Sequence, residues 1–233
     1  MARAEFNRDL GQLESELVLL GALVESAIYS SLNALRTRDL DLSRQVIHDD
    51  DLIDEKRHEV EDTCLDLIRR EAPVAGDLRR IISMLHIAGE LERMGDYAEG
   101  ISKISLMMGP EPPLKELIDI PAMGERAVGM LKHSLDAFLN RDDDAAVASA
   151  AAIGDDDDEV DNLYRRVRLD LLVLMRRDPA NVEPGTYLLW AAHNVERIAD
   201  RATNIAERVI FQASGRHVRV GADKETRVLE TPG

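Results

Sequence analysis

Five residues, Glu92-Arg93-Met94-Gly95-Asp96, return 104 positions later as Glu196-Arg197-Ile198-Ala199-Asp200. On a helix, acids four apart are neighbours about 6 Å from each other and repel, so an arrangement repeated in this way calls for a compensating cation. A second acidic pairing precedes each copy. Asp50 and Asp54 in Asp50-Asp51-Leu52-Ile53-Asp54 correspond to Asp157 and Asp161 in Asp157-Asp158-Glu159-Val160-Asp161, at an offset of 107. Each half of the chain therefore offers two acid pairs, on two successive helices.

The residues around the second pair repeat as well. Leu85, Ala88, Ala98 and Ile101 lie over Leu189, Ala192, Ala202 and Ile205, which marks an internal duplication. Six segments carry the helical period: about 6–36, 39–72, 77–109, 114–140, 142–177 and 186–214. Gly109-Pro110-Glu111-Pro112-Pro113 cannot continue a helix and separates the halves, while Pro179 and Glu183-Pro184-Gly185 interrupt the last connection. The expected architecture is all-α: six long antiparallel helices in two tandem, pseudo-symmetric three-helix bundles, over 1–109 and 114–214. Residues 215–233 hold few apolar side chains and are expected to be a disordered tail.

Within these helices the acids border or interrupt the core. In the second helix Asp50 falls between Val46 and Ile53 on a seam continued by Val60, Cys64 and Leu67, and in the fifth Asp157 lies between Ile153 and Val160. Glu92 and Asp96, like Glu196 and Asp200, lie one residue round from their apolar seams. A carboxylate withdrawn from water unpaired costs several kcal/mol, so each site needs a partner or water. Two partners fit. Arg93 and Arg197 repeat too, and reaching across to Asp50 and Asp157 would make interhelical ion pairs. Alternatively, the acid pairs of each half converge on hard cations, which take oxygen ligands in the number that clustered carboxylates provide. Spacing alone leaves both open, and the second copy leans towards metal.

Composition narrows the function classes. With 45% apolar but only 3% aromatic residues the chain reads as a helical bundle, and its formal charge of −16 opposes nucleic acid or anionic lipid as the main partner. Cys64 is the single cysteine, so an internal disulfide is impossible. The apolar run Leu17–Val24 is too short to insert in a membrane, and a soluble cytoplasmic protein is expected. Glu55-x-x-His58 has the spacing of a di-iron ligand pair but stands alone, and the run Asp155–Asp158 lacks a calcium-loop pattern. His48 and His58 read as surface residues, and Trp190 and Cys64 as core. No phosphate-binding glycine loop, nucleophile elbow or kinase signature is present in the sequence, and nothing nominates a general acid or base, so an enzyme is not expected.

The doubled motifs, with Ala202-Thr203-Asn204-Ile205-Ala206-Glu207 after the second and Val74-Ala75-Gly76-Asp77-Leu78-Arg79-Arg80 before the first, resemble the PhoU family of phosphate-signalling regulators over about residues 5–214. The resemblance implies paired three-helix bundles holding multinuclear metal clusters. It also implies a cytoplasmic negative regulator that couples the ATPase component of a phosphate ABC transporter to a sensor histidine kinase. Carried across, the ligands would be Asp50, Asp54, Glu92 and Asp96, then Asp157, Asp161, Glu196, Asp200 and Asn204. The ions would be divalent or trivalent, with magnesium, manganese, calcium, iron and zinc open, and a homodimer is compatible. Gly100 stands where the second copy has Asn204, which predicts a first site one ligand short. The acid pair of the second half also sits four residues later after its turn, which leaves the register within Asp155–Asp158 open.

Overall fold

The structure, a computed structural model, describes residues 2–221 and 227–228. Six helices form it: α1 Ala2–Thr37, α2 Leu40–Glu71, α3 Ala75–Met108, α4 Asp119–Leu139, α5 Asp143–Arg177 and α6 Val182–Ser214. Asp39 and Asp142 cap α2 and α5, accepting hydrogen bonds from Leu42 N and from Asp144 N and Ala145 N. Their side chains satisfy amide donors that a helix start leaves free.

Two helix starts differ from expectation for one reason. Pro121 is the third residue of α4 and Pro184 the third of α6. A proline there loses nothing, because the first turn has no intrahelical acceptor for its missing N–H. Hence α6 begins at Val182 rather than Thr186, with Pro184 inside it. Conversely, α4 begins at Asp119 rather than Leu114, because a helix already running at Leu117 would drive its carbonyl into the Pro121 ring.

Packing makes one core of the two halves. Leu13, Leu17, Leu20, Val24 and Ile28 of α1 are fully buried or nearly so, as are Met84, Ile87, Leu91 and Met94 of α3 and Leu188, Val195, Ile198 and Ile205 of α6, all in a single apolar cluster. Each such side chain contributes about 1.5–3 kcal/mol. α1 packs on α2, α3 and α4, and α3 lies along α6, so the halves meet across broad helix faces. α1 is long and apolar enough to cross a membrane by composition alone, but its stripe is used in this core. A buried ion pair within the first half is tied to the second: Arg80 Nε donates to Glu14 Oε1 at 2.5 Å, Arg141 from the second half reaches the same carboxylate at 2.7 Å, and the Arg80 guanidinium sits 4.9 Å from the centre of the Phe138 ring.

The segment after α6 departs from the expected disordered tail where it is described. Gly215 ends α6 in the left-handed conformation. Val218–Arg219 then forms strand β1, paired antiparallel with β2, Arg227–Val228, and Val218 and Val220 are buried. Two apolar side chains at alternate positions suffice to dock so short a strand. Residues 222–226 and 229–233 of the expected tail lie outside the described residues.

Two candidate metal centres

In the first half, α2 brings Asp50 and Asp54 against Glu92 and Asp96 of α3. The close approach depends on Gly95, where a Cβ would lie 3.2 Å from Asp50 Oδ1 and 3.0 Å from Ile53 Cδ1. Burial pushes the Asp50 carboxyl up to about 6, and Glu99, Asp96 and Asp54 push it the same way against Lys103. Glu92 and Asp96 are raised as well, first by burial and then by one another's neighbourhood of acids. Glu99 and Lys103, 2.5 Å apart, belong to this environment and escaped the sequence motif. Their spacing of three and seven from Asp96 is the signal that places them on its face.

The second half repeats the arrangement more severely. Burial, then Asp161, Asp200, Asp158 and Glu196, push Asp157 up to about 7. Glu196 also rises to about 7, through burial and then Asp200 and Asp161, against Arg197 and Arg201. Asp161 is raised by burial and by Asp200. Glu196 Oε2 is a buried oxygen with no hydrogen-bond partner. His193 Nδ1 lies 3.3 Å away, but outside hydrogen-bonding geometry. The register is thereby resolved: Asp157 faces the acids of α6, while Asp155 is exposed.

The alternative of arginine bridges to the seam acids is not what the side chains do. Arg93 turns to Glu90 on its own helix at 2.5 Å, and Arg197 to Asp200 at 2.7 Å. Among the described residues, no lysine or arginine forms an ion pair with Asp50 or Asp157. Asn204 Nδ2 donates to Glu90 Oε2 at 2.9 Å across the α3–α6 contact, a bond that leaves its Oδ1, the atom a cation would take, uncommitted. The twofold-related pairing is Gly100 with Asn194, whose Nδ2 would lie 2.8 Å from a Cβ on Gly100. Gly100 thus makes room for Asn194.

Other expectations fare unevenly. Cys64 is fully buried and its thiol is pushed up to about 12 by burial, as a packing residue should be. His48, His58 and Glu55 are exposed. Trp190, expected in the core, is 50% exposed and packs edge-on to Tyr187 with ring centres 5.8 Å apart. The helical period places it beside the seam, and one residue of rotation is enough to bring an indole to the surface.

As arranged, the carboxylates stay apart: among the described residues, no three acid, histidine or cysteine donors converge as a bound ion would draw them. Mutual repulsion opposes closer approach without an ion, and rotamer changes on the side chains of each half are what chelation requires. The donor set nevertheless suits a hard cation. It is all oxygen, Gly95 leaves space beside Asp50, and Glu196 Oε2 lacks a hydrogen-bond partner.

Comparison with known proteins agrees with this duplicated frame. The family model for the PhoU domain matches residues 17–105 and again 120–209. The chain belongs to the PhoU family. A phosphate-specific transport system accessory protein PhoU homologue of Clostridium acetobutylicum is 36% identical over 94% of this chain and 98% of its own length. Another, from Zymomonas mobilis, is 36% identical over 91% and 88%. The crystal structure of PhoU from Pseudomonas aeruginosa superposes with a TM-score of 0.83 at 32% identity, covering 90% of this chain and 99% of that one. That of the regulatory protein PhoU from Streptococcus pneumoniae gives 0.81 at 30% identity, covering 92% and 100%. PhoU homologues are accessory proteins of phosphate transport rather than members of a known enzyme family. The two PhoU domains end within α3 and α6, before the strap at 216–221.

Proposed function

We propose that this chain is a cytoplasmic, metal-binding negative regulator of phosphate uptake and phosphate-starvation signalling. It contacts the ATPase component of a phosphate transporter and a sensor histidine kinase, and keeps starvation genes off when phosphate is plentiful. Asp50, Asp54, Glu92 and Asp96 hold metal in one half, and Asp157, Asp161, Glu196, Asp200 and Asn204 in the other. A bound cation supplies charge neutralisation, which lets each acidic helix pair close. The observation that carries the metal reading is Asp157, desolvated among four carboxylates with no ion-pair partner among the described residues. The regulatory reading rests on the accessory role that the relatives' names give them.

Two measurements test these parts separately. Elemental analysis of purified protein should find bound metal that falls by about half when Glu196 and Asp200 are both changed to alanine. Unaltered metal content contradicts the site. Deleting the gene should switch on a phosphate-starvation reporter in high phosphate, and a reporter that stays off contradicts the role.

A further inference from the structure

The second acidic site carries a cover that its counterpart lacks among the described residues. After Gly215 the chain folds back along α6, with the His217 ring stacked 4.6 Å from that of Phe211. Val218 and Val220 are each only 6% exposed, and Val220 N donates to Glu207 Oε1 at 3.2 Å. Gly221 then lies against the Asp157 corner of the site: a Cβ on it would lie 2.7 Å from Asp157 Oδ2, and its φ of 83° suits glycine. On α5, Gly154 forms the seat, since a Cβ there would lie 3.1 Å from Gly221 N. Two glycines on separate segments thus permit one close approach of backbone to a site carboxylate. In the first half, Ile47 and Lys103 stand where Gly154 and Glu207 do. The chain leaving α3 is instead held by Arg38, which donates to the carbonyls of Gly109 and Glu111.

We propose that residues 216–221 are a latch over the second site, so that ions and solvent exchange there more slowly than at the first. This rests on the metal reading above. The backbone lying on Asp157 withdraws only when β1 and the Val218 and Val220 contacts release, whereas among the described residues no such segment lies on Asp50.

The test is release of manganese from the loaded, full-length protein into excess chelator. Two phases are expected, the slow one assigned to the second site by its loss in Asp157→Asn. Gly154→Met pushes against Gly221 without weakening α5, and a chain ending at Gly215 removes the latch outright. Each should speed the slow phase by about tenfold or more and leave the fast phase alone. A slow phase unchanged in both variants, or a wild type with one phase, overturns the latch. Carbodiimide labelling of the metal-free protein separates this from failure of the metal reading. Asp157 should react more slowly than Asp50 in wild type and gain reactivity in Gly154→Met. If manganese binds neither site, ion gating falls with the metal reading, and equal labelling of the two aspartates shows that the cover itself is absent.

Discussion

Asp157 and Glu196, both raised to about 7, and Asp50, raised to about 6, owe their shifts chiefly to burial. The unfolded chain releases these protons near pH 4. Between about pH 4 and pH 7 the metal-free fold therefore holds more protons than the unfolded chain, and its stability falls as pH rises through that window. Asp9 and Asp66, held below the usual carboxylate range by hydrogen bonds from Arg70 and Arg69, act only below it. With chelator present, Tm should be higher near pH 5 than near pH 8, and saturating manganese should shrink that difference because metal competes with protons. A metal-free Tm that climbs steadily to pH 8 contradicts the desolvated acids. Asp157→Asn removes the charge and should stabilise the metal-free protein near pH 8 by about 1 kcal/mol, roughly 2–4 °C, allowing for partial exposure. The same variant should lose manganese-induced stabilisation at the second site, as read by thermal shift. These acids were legible in the sequence because duplication showed each twice. The bond from Asn204 to Glu90 was not legible, because spacing gives a helix face and not the neighbour on another helix that a carboxamide reaches.

Between elements, close helix approach and one buried charge network do most to fix geometry. Gly95→Ala replaces glycine with a better helix former but puts a methyl 3.0 Å from Ile53 Cδ1 and 3.2 Å from Asp50 Oδ1. It should weaken manganese binding at the first site by about tenfold. Calorimetric titration checks this, with the second site as the internal control. Arg80→Ala leaves Glu14 facing only the exposed end of Arg141 and should cost about 3 kcal/mol, seen as a lower denaturant midpoint with unchanged slope. Helix number and most boundaries could be read from periodicity and from the Asp39 and Asp142 caps. The starts of α4 and α6 could not, because a proline is read as a breaker until its place in the first turn is known. Strand β1 was missed since two alternating valines are too short a pattern to stand out.

At the level of the whole molecule, the duplication built one core rather than two. α3 and α6 bury their seams on each other, and α1 reaches α4, so unfolding should be a single transition by calorimetry and by circular dichroism alike. A fragment of residues 1–109 would expose the α3 face that α6 covers and is not expected to give a cooperative transition alone. The shared core was invisible to a reading of each half by itself, because the same apolar seam serves neighbours within and between halves. The two clusters of crowded, desolvated carboxylates exist to hold cations. Anomalous scattering from crystals grown with manganese tests this directly. Anomalous peaks are expected within coordination distance of Asp157, Asp161, Glu196 and Asp200, and of Asp50, Asp54, Glu92 and Asp96. A well-ordered map with no anomalous density at either cluster, and those carboxylates spread into solvent, would contradict it.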